Sequence, residues 1–181
     1  MDTADRLVFG TDGWRDVIAD GFTVANVRRA ARAYGEHLVE RGAKRVLVGY
    51  DTRFAGELFA RAAAETLADF GLEALLSDGF LPTPALSFAV THLAADGGVM
   101  LTASHNPPIY QGFKLKGPYG GTATDDIYRD VAGRVRPADA VPVPAGPRRS
   151  VERFDVRAAY YDALERLLAM DVLAAAGGRL V

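Results

Sequence analysis

Apolar positions early in the chain recur at spacings of three and four. Val24, Val27, Ala31, Tyr34 and Leu38 fall on one stripe, which predicts an amphipathic helix facing a core. Thr23 is placed to cap its start and Gly42 to end it. The period then changes. Arg45-Val46-Leu47-Val48-Gly49-Tyr50 is a short β-branched run of the kind that forms a buried strand, stopped by Asp51, and a second helical stretch follows over 55–70 with Gly71 at its end. Residues 72–77 predict a further strand, and 78–84 a rigid connection in which each proline keeps its predecessor out of the α region. A helix over 84–94, a buried strand over 98–101, a short alternating strand over 113–116 and a helix over 124–135 complete the series. Asp125 and Asp126 suit the positive end of that last helix. Strands alternating with helices predict a layered α/β fold with a sheet that is parallel in the main.

Pro137, Pro142, Pro144 and Pro147 crowd into 136–150 with few large apolar residues, the pattern of a semi-rigid linker. One domain is therefore expected over 1–135. Beyond the linker, 154–169 reads as a helix with Tyr160, Leu164, Leu167 and Leu168 on one side, and 177–181 as a strand just beginning. Residues 151–181 are expected to open a second domain that continues past Val181.

Composition narrows the function classes. Apolar residues make up 49% of the 181-residue chain and charged ones 24%, an ordinary globular balance. The net charge of −2, from 21 Lys+Arg against 23 Asp+Glu, offers no basic field to hold a nucleic acid. The lack of cysteine excludes disulfides, a thiolate nucleophile and Cys-type zinc sites. No apolar run reaches the 18 or so residues of a spanning helix, so no membrane partner is expected. The start, Met1-Asp2-Thr3-Ala4-Asp5, lacks the charged and apolar regions of a signal peptide, and a cytoplasmic location is expected.

Candidate chemistry concentrates in residues 102–114, Thr-Ala-Ser-His-Asn-Pro-Pro-Ile-Tyr-Gln-Gly-Phe-Lys, directly after a predicted strand. Ligands of open α/β sheets gather at such strand ends. Two of the three lysines in the chain, Lys114 and Lys116, lie here. His105 is badly placed to activate its neighbour Ser104, because adjacent side chains on an extended segment point apart. No G-x-S-x-G elbow surrounds the serine either. A serine that carries a phosphoryl group fits better, since phosphoryl transfer depends on positioning and on cations, which Lys114, a metal and Arg15 could supply. Asp51 and Arg53 read as a strand-end cap and an internal ion pair, Trp14 and Tyr34 as core, and Arg28, Arg29 and Arg32 as a solvated helix face. His37 and His92 lack metal-ligand companions.

The 102–114 loop resembles the phosphoserine loop of the α-D-phosphohexomutases, the phosphoglucomutase and phosphomannomutase family. Phe9-Gly10-Thr11-Asp12-Gly13-Trp14-Arg15 is similar to that family's N-terminal motif, Gly49-Tyr50-Asp51-Thr52-Arg53 to its strand-end Asp-x-Arg, and Pro82-Thr83-Pro84 to a further stretch. Together these cover residues 9 to about 121 and match the first of the family's four domains, which implies a three-layer α/β/α sandwich on a mostly parallel, mixed sheet. The resemblance implies that Ser104 donates a phosphoryl group to a hexose phosphate and recovers one from the bisphosphate formed. Lys114 would act as acid/base or charge stabiliser, Arg15 would hold phosphoryl oxygens, His105 and Asn106 would position loop and substrate, and Thr11 would help to bind substrate. Mg²⁺ would be held through the phosphoserine at Ser104 and by ligands absent from this chain, with hexose 1,6-bisphosphate as activator. The remaining mutase domains would be partners in a longer chain. Gln111 replaces the family's usual Asn, and Asp16 a common Gly. The Asp-Gly-Asp-x-Asp metal loop, the sugar-selecting Gly-Glu-x-Ser-Gly loop and the C-terminal phosphate loop are absent, so this stretch alone is expected to turn over little and leaves glucose, mannose and glucosamine phosphates undistinguished. The alternatives are a phosphoglucosamine mutase and a non-catalytic sugar-phosphate-binding or regulatory module.

Overall fold

The computed structural model describes residues 7–10, 12–136 and 149–177. Its elements run β1 (Trp14–Val17), α1 (Val24–Glu40), β2 (Arg45–Tyr50), α2 (Gly56–Ala68), β3 (Glu73–Ser77), α3 (Thr83–His92), β4 (Gly97–Leu101), β5 (Tyr110–Lys116), α4 (Asp125–Arg134), β6 (Glu152–Phe154), α5 (Arg157–Leu167) and α6 (Met170–Ala176). The six strands form one sheet in the order β1-β5-β4-β2-β3-β6. β2 pairs in parallel with β3 and β4, and β3 with β6, whereas β5 runs antiparallel to both β4 and β1. The sheet is mixed, with a parallel centre.

Strand alternation explains the two faces. Val46 and Val48 turn to one side, where Val27, Ala31, Tyr34 and Leu38 of α1, Phe59 and Leu67 of α2 and Val131 of α4 bury against them. Leu47 and Met100 turn to the other, against Leu86, Ala89 and Val90 of α3 and Phe154 at the end of β6. The result is an α/β/α sandwich. Each of the Val, Leu, Phe and Met side chains among these contributes about 1.5–3 kcal/mol by leaving water. Thr23 caps α1 as its sequence position implies, its Oγ1 accepting the Asn26 N–H at 3.2 Å.

Four details depart from the sequence reading. β1 is short and carries Arg15 and Asp16, and only Trp14 of its four residues is fully buried, so no alternation marks it. β5 begins at Tyr110 rather than 113. Residues 152–154, expected to belong to a second domain, add the sixth strand of this sheet, and Phe154 and Val156 bury in the α3-side core. The helix expected from 154 therefore starts at Arg157, and α6 follows it unforeseen. Most of the expected linker, 137–148, and most of the terminal strand, 178–181, lie outside the described residues.

Candidate active site

Residues 102–109 connect β4 to its antiparallel neighbour β5 at the carboxyl end of the parallel centre, where ligands bind in open α/β sheets. The root of this loop is buried. Thr102 donates its N–H to Gly112 O at 2.9 Å, and Thr102 Oγ1 accepts the Ser104 N–H at 3.0 Å. Ser104 itself has a φ of +56° and is exposed. A non-glycine residue in that left-handed region is uncommon, and such conformers persist where the surroundings enforce them.

Arg53 is what enforces this one. From the β2–α2 connection its Nη2 donates to Ser104 O at 2.8 Å and Asn106 O at 2.7 Å, and its Nη1 to Pro107 O and Tyr110 O at 3.0 Å each. Asp51 Oδ2 lies 3.5 Å from the Arg53 Nε and steadies the guanidinium from behind, and Asp51 Oδ1 accepts the Arg53 N–H at 3.0 Å. The ion pair matches the sequence reading. The four loop carbonyls were missed, because a backbone acceptor leaves no residue-type signal; the strand-end position of Asp51-Thr52-Arg53 was the only available pointer.

Beside the loop stands a cluster of charges. Asp12 Oδ2 pairs with Lys114 Nζ and, at 3.5 Å, with Arg15 Nη2, while Arg15 Nη1 donates to Asn106 Oδ1 at 2.8 Å. Three of the expected residues are thus tied together beside Ser104: Arg15 and Asn106 to each other, and Lys114 to Arg15 through Asp12, which was not singled out as a site residue. Gly112 makes the approach possible, because a Cβ there would lie 2.4 Å from Thr102 O and 3.0 Å from Arg15 Cγ. Lys116 shares the Lys114 face of β5 and is 5% exposed. Burial pushes its ammonium below the usual lysine range, with Asp12 opposing that shift and Lys114 adding to it.

The remaining expectations fall elsewhere. His105 is exposed on the loop and takes no part in the bonds among Arg15, Asn106, Asp12 and Lys114. Thr11 lies outside the described residues. Asp16 Oδ1 accepts the N–H of Val17 at 2.7 Å, turned to its own strand. Among the described residues no three His, Asp or Glu side chains converge as a metal cage. Asp12 pairs with Lys114 and Arg15, and Asp51 with Arg53. No helix among the described residues is long and apolar enough to cross a membrane.

The fold thus presents a mixed α/β/α sheet with a clamped, serine-bearing loop beside the Arg15, Asp12 and Lys114 cluster. Residues 6–140 match the family described as phosphoglucomutase/phosphomannomutase, alpha/beta/alpha domain I, and the chain belongs to that family. It is 40% identical over 121 residues to the phosphoglucomutase of Staphylococcus saprophyticus, a match that covers 64% of this chain and 22% of that protein. It is also 37% identical over 145 residues to the phosphoglucosamine mutase of Magnetococcus marinus, 78% of this chain and 30% of that protein. A solved structure from Thermus thermophilus, assigned as a phosphomannomutase, matches with a TM-score of 0.83 and 46% identity over 92% of this chain and 37% of its own. The chain thus spans less than two fifths of each of these relatives.

Proposed function

We propose that this chain is the phosphoryl-carrying domain of a hexose-phosphate mutase, with Ser104 Oγ as the carrier. The observation that supports it is the exposed, left-handed Ser104 held by Arg53 beside a cluster containing Arg15 and Lys114. In the forward step the bond between phosphorus and Ser104 Oγ breaks, and one forms to a hydroxyl oxygen of the hexose phosphate, whose proton leaves to a base while the departing Ser104 Oγ takes up a proton to become a hydroxyl again. The hexose bisphosphate so formed turns over and returns its other phosphoryl group to Ser104 Oγ, so the net change moves phosphate between the 1 and 6 positions. Arg15 and Lys114 offset charge on the phosphoryl oxygens, the main demand of such a transfer. Asn106, oriented by Arg15, and the exposed His105 face incoming substrate.

Mg²⁺ would supply further neutralisation through one phosphoryl oxygen at Ser104, its other ligands coming from outside this chain. Hexose 1,6-bisphosphate as activator would load the resting serine. Relatives of the phosphoglucomutase and phosphoglucosamine mutase kind and a solved structure assigned as a phosphomannomutase match this domain, so glucose, mannose and glucosamine phosphates are all candidate substrates. In the protein encoded by the gene's full reading frame, Ser104→Ala is expected to abolish conversion of hexose 1-phosphate to 6-phosphate while leaving the unfolding midpoint unchanged. Undiminished conversion by that variant refutes the carrier role. The 181-residue chain alone is expected to convert little or none, and robust turnover by it contradicts the assignment to a single domain of a larger site.

A further inference from the structure

Of the α1 arginines that the sequence reads as a solvated face, Arg28 is exposed, but Arg32 is partly buried and Arg29 is buried. Arg29 is 6% exposed, and its guanidinium donates to Arg136 O at 2.7 Å and to Asn26 Oδ1 at 2.9 Å. Arg28 and Arg32 line a cavity of about 510 Å³ between α1 and α2, with Glu65 and Thr66 from α2, Asp69 at its C-terminal end, and Arg149 from the segment that leads into β6. That volume lies within the range of small-molecule sites, roughly 300–1,000 Å³. None of these residues belongs to the 102–109 loop or to the Arg15, Asp12 and Lys114 cluster.

Arg32 carries the argument. Its Nη1 is buried and has no hydrogen-bond partner. A guanidinium stays charged at any physiological pH, and a charged donor withdrawn from water without an acceptor is unfavourable, so the position calls for an anion. Arg149 adds a second, exposed cation. Arg28 is only loosely engaged, 3.8 Å from Glu65 Oε2 with both side chains half exposed. Planar guanidinium forks match the oxygens of a phosphate. Thr66 does not compete for the ligand, since its hydroxyl donates to Ala62 O at 2.7 Å. The carboxylates of Glu65 and Asp69, against the three arginines, repel a bare polyanion, and Glu65 accepts hydrogen bonds from hydroxyl groups, which selects for a ligand that carries both a phosphate and hydroxyls.

We infer that the cavity between α1 and α2 is a second anion site, separate from Ser104, that takes a phosphate monoester of a small polyol. Arg32 binds the phosphoryl oxygens with Arg149, and Glu65 accepts from the polyol hydroxyls. The inference stands whether or not Ser104 carries a phosphoryl group.

Ribose 5-phosphate titrated into the ¹⁵N-labelled 181-residue chain tests it, with inorganic phosphate and ribose as parallel arms. The expected result is saturable amide shifts in 28–32, 65–69 and 149–151 with the ester, weaker binding of inorganic phosphate and none of ribose. Arg32→Gln is expected to weaken binding about tenfold or more, and Arg149→Gln, at an exposed position, to weaken it as well. Ser104→Ala is expected to leave it unchanged. Shifts confined to 102–114, no saturable shift at about 10 mM ester, or both arginine variants binding as tightly as the parent overturns the site. Inorganic phosphate binding as tightly as the ester overturns the ligand class.

Discussion

At the scale of single residues the loop depends on Arg53 more than on any residue within it. Hydrogen bonds from a charged donor contribute about 1.5–3 kcal/mol each, and Arg53 makes four to the loop backbone. Part of that is lost to solvent screening at the exposed bonds. Arg53→Ala is therefore expected to speed amide exchange in 104–110 by about a hundredfold, equivalent to about 3 kcal/mol of local opening, while exchange in β2 and β4 stays slow. Arg53→Lys recovers only part of this, because a single ammonium cannot span four carbonyls. Unchanged loop exchange in Arg53→Ala would show that the loop holds its shape alone. The candidates Ser104 and Lys114 stood out in the sequence through residue type and their place in the polar stretch after β4, and Arg15 through the N-terminal motif of the resemblance. Thr102 and Asp12 were not, since what they contribute is an acceptor for a backbone N–H and a bridge between cations from distant parts of the chain.

Between elements, α1 and α4 are joined by a cluster that the sequence could not disclose, His37 and Asp130 being ninety-three residues apart. His37 Nδ1 lies 2.6 Å from Asp130 Oδ2, with Arg41 and Arg134 also on that carboxylate. Burial holds the His37 imidazole below its ordinary value of 6.5, against the pull of Asp130, with Arg41 also lowering it. Asp130 is held below the usual carboxylate range by hydrogen bonds from His37 and Arg134, so it stays ionised near neutrality. A histidine with a lowered folded pKa takes its proton later than the unfolded chain does, so stability falls as pH drops through 6.5 toward the folded value. Denaturant unfolding between pH 7.5 and about 5.5 should show this decline, and His37→Gln should flatten it. An equally steep decline in the variant would assign the pH dependence to other groups. Strong periodicity fixed α1 and β2 to within a residue or two, because Val27, Ala31, Tyr34 and Val46 to Val48 are buried along one face or throughout. β1 and β6 escaped because their buried set is one residue each, Trp14 and Phe154, and their place comes from pairing with β5 and β3 rather than from their own composition.

For the whole molecule, the boundary of the folded unit falls later than the prolines imply. Phe154 and Val156 are buried in the α3-side core, whereas α5 and α6 bury no residue completely and leave Leu167, Val172 and Leu173 exposed. A chain cut after Val156 is expected to keep its stability within about 1 kcal/mol, and one cut after Ser150 to lose about 3–5 kcal/mol with the Phe154 and Val156 contacts. Equal stability of the two would show that β6 is incidental to the sheet. α5 and α6 leave these apolar residues exposed in a chain whose relatives are about two and a half to three times as long. The most direct test of the account is to follow label from hexose 1,6-bisphosphate, ³²P in both phosphoryl groups, into the protein from the gene's full reading frame. The account predicts label on the 102–114 peptide at Ser104 that chases into hexose phosphate when unlabelled substrate is added, and none in Ser104→Ala. Label that persists in Ser104→Ala, or catalytic turnover with no label at Ser104, would contradict it.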